Sequence, residues 1–315
     1  MRAIFRDEQK QNEFMRKGYA QFPFLSANDV NHLLAEMKEL TPDDRFDPDG
    51  SAICRNTFHS SFLDTNADYK QKTYDLISEL VGPRLKDILA DYKILLCQFV
   101  VKPPGKGDLL PHQNWNFVRN HKNTTVTVWC PLTDVGVSNG TLRVVEASHK
   151  ISPFIAAPFL PNYCANFEAE IREKYSTPIT LNAGECVIFD DSLLHWSEPN
   201  RSKESRDVMV VECIPAESVG TIFFFDRESP ENEFEVLEVD SSFFVRNTPD
   251  RLLRRPPNVN GLGFVPNNNE LLSEAQFLDL MGKGEDTRNK LYNGEITEDS
   301  NGLMDRLKFW KHLMN

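Results

Sequence analysis

The sequence has little basic charge for its length. Its 315 residues include 35 lysines and arginines against 47 aspartates and glutamates, which gives a formal net charge of −12 at pH 7. A protein that binds nucleic acid presents a basic face to the phosphates. The basic run from Arg251 to Arg255 is interpreted as a solvated loop in an acidic chain. We therefore expect no nucleic-acid partner.

Long apolar runs are also missing. No stretch approaches the roughly 20 consecutive apolar residues that cross a bilayer as a helix. The first residues, Met1 to Glu8, contain no apolar segment of signal-peptide length. These features predict a cytoplasmic protein with no membrane partner, and nothing in the sequence indicates an oligomeric state.

Closely spaced cysteine pairs are absent as well. The six cysteines form no Cys-x-x-Cys motif, and four of them lie inside apolar, strand-like runs. Zinc knots and disulfide frameworks depend on regular cysteine spacing. We therefore expect these cysteines to be small buried core residues. They are Cys54, Cys97, Cys130, Cys164, Cys186 and Cys213.

The hydrophobic pattern divides the chain into three parts. Residues 1–92 have helical periodicity, residues 93–215 have short runs typical of strands, and residues 216–315 form a C-terminal extension. Within the middle part, 148–176 is a partly helical insertion. Many short strands without regularly spaced helices between them indicate an all-β sandwich or barrel. We predict one domain over 1–315, mainly β with flanking helices.

Turn and capping residues predict the element boundaries. Ser26 with Asp29 predicts a capping box at the start of a helix. Gly82-Pro83 predicts an interruption in a second helix over 68–91. Strands are predicted at 19–25, 94–101, 124–130, 141–145, 178–181, 186–189 and 208–214. In the extension, loops are predicted at 258–263 and 267–269, and short helices at 270–281 and 304–313.

Two histidines far apart in sequence carry the strongest chemical signal. His112 is followed two residues later by Asn114, and on an extended strand residues i and i+2 point to the same face. His195 lies just after a predicted strand. Two histidines with one oxygen ligand and open positions are a typical protein site for non-haem Fe(II). Three other histidines lie in no comparable context, and we expect at most structural roles for them: His59, His121 and His149.

An arginine lies shortly after the second histidine. Arg206 follows His195 by eleven residues in the sequence. A guanidinium group can bind a carboxylate through two parallel hydrogen bonds. Arg206 is therefore a candidate for binding a carboxylate co-substrate near the metal.

Several segments, in order along the chain, resemble the phytanoyl-CoA dioxygenase family. The resemblance covers about residues 10 to 215, and the family pattern is His-x-Asp followed far downstream by a second His. The segments are 13–19 (EFMRKGY), 111–115 (PHQNW), 127–132 (TVWCPL), 139–145 (NGTLRVV), 147–150 (ASHK) and 195–202 (HWSEPNRS).

The resemblance implies a fold, an activity and roles for residues. The family consists of Fe(II)/2-oxoglutarate oxygenases on a double-stranded β-helix, a cupin-like jelly roll, so the expected cofactors are Fe(II), 2-oxoglutarate and O2. By position, His112, Asn114 and His195 would bind the metal. Four residues would form the co-substrate pocket, with Arg206 and Ser197 on the distal carboxylate: Arg206, Ser197, Trp129 and Gln98. For Trp129, a role in core packing is as well supported as a role in the pocket.

Asn114 departs from the family pattern, which has aspartate at that position. A neutral amide oxygen is a weaker metal ligand than a carboxylate, so Asn114→Asp is expected to tighten Fe(II) binding. Three arrangements stay open: Asn114 binds the metal, it turns away and leaves a position for water or an anion, or the site has lost its chemistry. Family members that halogenate have a small residue here, and asparagine is too large to match them. Asp190 or Asp191 could supply a substitute carboxylate, although the family has no ligand there.

The substrate is expected to be a small molecule whose unactivated C–H bond is oxidised. Trp115 and Asn116 follow the ligand strand and are expected to face the substrate pocket. The run 222–225 could form a lid together with the 148–176 insertion, but a buried strand fits its composition better. The alternative functions are a non-catalytic metabolite-binding or regulatory protein and, with less support, a zinc hydrolase, which has no need for Arg206.

Overall fold

The computed structural model describes residues 2–48, 57–120, 124–151 and 154–284. The strands are β1 Tyr19–Pro23, β2 His59–Ser60, β3 Tyr92–Lys102, β4 Leu109–His112, β5 Val126–Pro131, β6 Leu142–Val144, β7 Thr177–Pro178, β8 Glu185–Asp190, β9 His195–Ser197, β10 Arg206–Pro215, β11 Thr221–Phe225, β12 Glu233–Glu238 and β13 Gly261–Pro266. The helices are α1 Glu8–Lys17, α2 Ala27–Glu39, α3 Ala67–Ile88, α4 Glu168–Glu170, α5 Ser241–Arg246 and α6 Glu274–Lys283. Short 3-10 segments lie at Ser61–Leu63, Val137–Asn139, Ser148–Lys150 and Pro249–Leu253, and a π turn at Ile171–Tyr175.

The largest sheet has six strands in the order β1-β8-β5-β10-β3-β2, and all its pairings are antiparallel. Every residue of its central strands β5 and β10 is buried. One face of this sheet packs on α1, α2 and α3 through a core cluster that includes Phe14, Leu33, Ile77 and Val211. A strand that is covered on both faces has apolar residues on both, which explains the near-continuous apolar runs of these segments.

The opposite face of the six-stranded sheet packs on a second sheet of four strands in the order β4-β9-β6-β7. A separate core cluster joins Val187 and Val208 of the large sheet to Val144 of the small one. Two facing antiparallel sheets of this kind form a jelly roll, as the sequence predicted. The site described below lies between them.

Most predicted elements are present with shifted ends. The capping box at Ser26 forms, with the hydroxyl of Ser26 accepting from the backbone N–H of Asp29 and the Asp29 carboxylate accepting from that of Ser26. The strand predicted at 178–181 is limited to Thr177–Pro178. Beyond it the chain still bonds to its neighbours, since the N–H of Ile179 donates to Leu142.

The predicted interruption of the second helix at Gly82-Pro83 is wrong. Helix α3 runs without a break from Ala67 to Ile88 and contains Pro83. Proline removes one helical hydrogen bond, but the buried stripe of this helix continues across it, with Ile77 and Val81 before and Leu85 after. Packing against the sheet therefore outweighs the local preference.

The C-terminal extension contains a third sheet that the sequence analysis largely missed. Strands β11, β12 and β13 form an antiparallel meander. The stretch 222–225 is a mostly buried strand, as preferred above, but β13 begins at Gly261, inside a predicted loop. The predicted helix at 270–281 is α6, and the one at 304–313 lies outside the described residues. Within the described part of the chain, no helix is long and apolar enough to cross a membrane.

Candidate active site

His112 and His195 lie opposite each other on neighbouring strands of the small sheet. They are register partners in the antiparallel pair β4-β9, and their ring centroids are 4.3 Å apart. Phe189 of the large sheet packs on the ring of His195 at 4.7 Å. His195 is buried, whereas His112 keeps partial exposure. The two residues that the sequence pattern selected are therefore brought together at the interface of the sheets.

The hydrogen bonds of both imidazoles leave the same nitrogen available. Nδ1 of His112 lies 2.7 Å from the carbonyl oxygen of Leu110, and Nδ1 of His195 lies 2.8 Å from that of Leu193. A carbonyl can only accept, so Nδ1 carries the proton and Nε2 carries the lone pair. Burial is the main cause that lowers the pKa of both imidazoles, strongly so for His195, where the neighbouring His112 adds to the effect. Both rings are therefore neutral near pH 7, the state that binds a metal.

Asn114 is positioned by the loop after β8 and not by the strand that carries His112. Strand β4 ends at His112, so Asn114 lies two residues beyond the strand. The backbone N–H of Asn114 donates to the carbonyl of Asp191, and Gln113 donates through Nε2 to the carbonyl of Ser192. These bonds attach the segment after His112 to the chain just before His195.

The amide of Asn114 contacts a buried acidic group. Its Nδ2 lies 2.6 Å from Oγ1 of Thr127, 3.3 Å from Oδ1 of Asp191 and 3.3 Å from Oε1 of Glu212. The Thr127 hydroxyl lies 2.6 Å from Asp191 Oδ1 and 2.8 Å from Glu212 Oε2. Burial raises the pKa of both carboxyl groups, and for Glu212 the charge of Asp191 raises it further. We refer to Asp191 and Glu212 as the acid pair.

No carboxylate of the described residues joins the two histidines directly. Only one group of three His, Cys, Asp or Glu side chains in the described part of the chain has its ligand atoms within 4.8 Å of one another, and it consists of Asp44, His59 and Asp64. Both nitrogens of His59 are engaged there, Nδ1 with Asp44 and Nε2 with the hydroxyl of Tyr69 at 2.8 Å. A substitute carboxylate ligand from Asp190 or Asp191 is therefore not observed at the histidine pair.

Arg206 lies at the opposite end of the large sheet's inner face. It is six residues before Glu212 on β10, a distance of about 20 Å along a strand. Its side chain is buried, its Nη1 donates to the carbonyl of Gly140 at 2.9 Å, and its Nε has no hydrogen-bond partner among the described residues. The guanidinium carbon lies 5.5 Å from the ring centroid of Trp129. Burial lowers the pKa of Arg206 to about 9, which leaves it protonated at pH 7.

A second buried cation lies beside Arg206, and the sequence analysis missed it. Lys102 of β3 is the register partner of Arg206 and is 1% exposed. Its ammonium donates to the Ser197 hydroxyl at 2.7 Å and to the Glu198 carbonyl at 2.8 Å. Burial and the charge of Arg206 lower the pKa of Lys102 well below its usual range. The sequence signal that could have identified Lys102 is its position at the end of an apolar strand with no acidic residue nearby.

Two other predicted co-substrate residues share this inner face. Trp129 and Gln98 are both register partners of Val210, on either side of β10. Gln98 accepts a hydrogen bond at Oε1 from Ser60 at 2.6 Å and is partly exposed. Trp129 is buried, contributes to the core between the sheets and contacts Arg206. Ser197 lies on β9 of the facing small sheet and accepts a hydrogen bond from Lys102, so it meets the large sheet at the end that carries Arg206.

The two predicted substrate residues contact parts of the chain outside the jelly roll. Trp115 packs edge-on against Phe62 at 5.2 Å. Asn116 accepts at Oδ1 from the N–H of Ala156, and its own N–H donates to the Ala156 carbonyl. Asn116 thus attaches the 148–176 insertion beside the segment that follows His112. The insertion is partly helical, as predicted.

The remaining histidines agree with structural roles. His149 is buried in a 3-10 segment, and its ring centroid lies 6.3 Å from that of Phe14. His121 lies outside the described residues. The five described cysteines are buried without disulfides, as expected, and Cys54 lies outside the described residues.

A family model described as phytanoyl-CoA dioxygenase (PhyH) matches residues 14–208, which is more than half of the chain. The chain belongs to the phytanoyl-CoA dioxygenase family. The matched range contains both histidines, Asn114 and Arg206, and it ends within β10. The family prediction made from the motifs is confirmed.

Curated relatives match part of the chain at low identity. A phytanoyl-CoA dioxygenase domain-containing protein 1 homolog of Dictyostelium discoideum is 27% identical over 168 residues, covering 50% of this chain and 57% of the relative. Phytanoyl-CoA dioxygenase 1 of Oryza sativa subsp. japonica is 24% identical over 127 residues, covering 39% and 45%. The chain therefore spans about half the length of the curated relatives that it matches.

Solved structures show the same fold. SnoK, a non-haem α-ketoglutarate-dependent carbocyclase from nogalamycin biosynthesis, superposes with a TM-score of 0.51 at 20% identity, covering 68% of this chain and 86% of SnoK. At this identity the likeness concerns the fold, and it confirms the jelly-roll prediction.

Proposed function

We propose that this chain is a 2-oxoglutarate-dependent non-haem iron oxygenase that hydroxylates or otherwise oxidises an unactivated C–H bond of a small molecule. The observation that supports the proposal best is that two features lie in the same space between the two sheets. At one point two neutral histidines offer Nε2. Toward one end, Arg206 and Lys102 are buried cations without a carboxylate within 4 Å among the described residues.

The residues present fit the metal and the co-substrate. His112 and His195 would hold the metal through Nε2, with Oδ1 of Asn114 as the third protein ligand. The unpartnered Nε of Arg206 is a buried donor that calls for an acceptor. A carboxylate is the acceptor that suits a guanidinium group, and it would also neutralise Lys102. A dicarboxylate such as 2-oxoglutarate can place its distal carboxylate there.

The chain's own residues would bind, orient and shield the reactants. Arg206 and Lys102 would hold the distal carboxylate, while Ser197 and Gly140 fix the positions of these cations. Trp129 would form an apolar wall beneath the guanidinium, and Gln98 would offer its amide along the same face. Bound iron would supply the oxidising chemistry, which converts 2-oxoglutarate, O2 and a C–H group to succinate, CO2 and a hydroxylated product. Burial between the sheets excludes water from this reaction.

The substrate would enter from the partly exposed side of the site. His112, Asn114, Trp115 and Asn116 all keep partial exposure, while the cationic end is closed. A small molecule is the substrate class that fits an opening of a few side chains. The chain is acidic, and in this proposal Arg206 and Lys102 already bind the co-substrate. We therefore do not expect a nucleotide or a CoA thioester, whose phosphates would need further basic residues.

A non-catalytic metabolite-binding protein of the same fold is the second candidate. The observation that favours it is the contact of Asn114 with the acid pair. The amide of Asn114 is neutral, so it would bring no negative charge to a metal held by the two histidines. Formation of succinate from 2-oxoglutarate by the iron-loaded protein separates the two candidates.

The co-substrate assignment is tested by calorimetry with 2-oxoglutarate. We expect Arg206→Ala to weaken binding at least about 30-fold, or roughly 2 kcal/mol, because it removes a buried charged partner. Arg201→Ala, at an exposed arginine five residues before β10, is the control and should bind normally. Unchanged affinity in Arg206→Ala, with the fold intact by circular dichroism, would exclude this role.

A further inference from the structure

The polar group behind Asn114 has few hydrogen-bond donors. Thr127 and Glu212 are register partners on β5 and β10, and Asp191 follows β8, so three strands of the large sheet bring these side chains together. The Thr127 hydroxyl has one hydrogen and lies within bonding distance of both carboxyl groups. Nδ2 of Asn114, with two hydrogens, lies within 3.3 Å of Thr127, Asp191 and Glu212.

An aspartate at position 114 would not satisfy this group. It has no N–H to donate, so the acid pair and Thr127 would lose the two hydrogens of Nδ2. It would also add acceptor oxygens at the distances where the amide nitrogen now donates, and buried acceptors that face each other without a donor cost stability. The backbone bond of Asn114 to Asp191 keeps the side chain from moving away.

We propose that the acid pair is a positioning element of the metal site and that it determines asparagine, in place of the family's aspartate, at position 114. Asn114 binds the acid pair with its nitrogen and leaves Oδ1 for the metal. None of the described residues donates a hydrogen bond to that oxygen.

This inference rests on the proposed function for its metal-binding part, while its structural part can be measured without metal. The structural test is a double-mutant cycle with four metal-free proteins: wild type, Asn114→Asp, Glu212→Gln and the double variant. We expect Asn114→Asp to lower the unfolding midpoint by about 4 °C or more, Glu212→Gln to change it little, and the double variant to recover most of the loss.

Two further variants keep the cycle interpretable. Asp191→Asn replaces Glu212→Gln if that protein does not fold, and the same recovery is expected. Asn116→Asp is the matched control, because Asn116 is also partly exposed, lies two residues away and contacts Ala156 instead of the acid pair. Its effect on the midpoint should add to that of Glu212→Gln without coupling.

The metal-binding test uses Co(II) as a probe on the same four proteins. In contrast to the expectation from the sequence pattern alone, Asn114→Asp should not tighten Co(II) binding in the wild-type background, because of the contacts of Asn114 with the acid pair. With Glu212→Gln present, it should tighten binding at least about tenfold, because the new carboxylate can then act as a ligand. Equal tightening in both backgrounds, or additive unfolding midpoints, would overturn the proposal. Failure of the wild type to bind Co(II) would instead count against the proposed function, and the metal-free cycle would still decide the role of the acid pair.

Discussion

Lys102 and Arg206 are cross-strand partners in the antiparallel pair β3-β10, and both are buried at the cationic end of the inner surface. Two adjacent buried cations destabilise a protein unless an anion compensates them. In the function proposed above, the distal carboxylate of 2-oxoglutarate is that anion.

Lys102→Met should weaken 2-oxoglutarate binding about tenfold, because one of two buried positive partners of the carboxylate is lost. The affinity for Co(II) alone should not change, since Lys102 contacts Ser197 and not the histidines. Calorimetry with each ligand measures both. Lys93→Met, at an exposed position on the same strand, is the control. Equal losses of 2-oxoglutarate affinity in both lysine variants would show that Lys102 does not bind the co-substrate.

The stability of the ligand-free protein should depend on pH through Lys102. The pKa of Lys102 in the fold lies well below its ordinary value of 10.5, so the unfolded chain binds more protons between the two values. Stability from this group should therefore rise as pH increases through that window. The contribution of Lys102 is measured as the difference in thermal unfolding midpoint between the wild type and Lys102→Met at each pH. A flat difference across alkaline pH would show that Lys102 is not desolvated.

His195→Phe should abolish measurable metal binding, with a loss of at least about 100-fold, because a single histidine remains at the site. The phenyl ring keeps the contact with Phe189. The variant should also be less acid-sensitive without metal. The pKa of His195 lies well below 6.5 in the fold, so wild-type stability falls as pH drops from 6.5 toward that lowered value. His32→Ala, at an exposed histidine on α2, should match wild type in both respects.

Gly140→Ala should destabilise the protein by roughly 2 kcal/mol or more and weaken 2-oxoglutarate binding. Gly140 has φ +76°, and an added Cβ would collide with the backbone carbonyl of Glu198. The carbonyl of Gly140 also holds Arg206. Gly136→Ala is the matched control, because a Cβ there meets nothing within 4 Å. Chemical denaturation and calorimetry give the two effects, and similar results for both variants would contradict this role of Gly140.

The sequence predicted the jelly roll well because its central strands carry their own signals. The apolar runs that became β5 and β10 are buried on both faces, and Asn139-Gly140 marks the turn before β6. The failures occurred where tertiary packing overrides a local signal. Pro83 lies inside a continuous helix because its buried stripe faces the sheet, and β13 forms because it pairs with β12.

The candidate site could be predicted only in part. His112, His195 and Arg206 lie in motifs and were selected from them. Lys102 and the acid pair lie in no motif, and their proximity to Arg206 and Asn114 depends on strand register. Strand register is set by the whole sheet, so a single sequence does not reveal it. The backbone bond from Asn114 to Asp191 in the loop after β8 was not visible in the sequence for the same reason.

The most direct test of the account is an anaerobic titration of the metal-free protein with Fe(II) and 2-oxoglutarate, followed by visible absorption. We predict a charge-transfer band when both are present, because His112, His195 and the neutral Asn114 suffice to assemble the centre. The same titration of Arg206→Ala should give no band at matched concentrations. Absence of the band in the wild-type protein, with correct folding and with the band present in Asn114→Asp, would show that the chain keeps the pocket without the iron chemistry and would contradict the account.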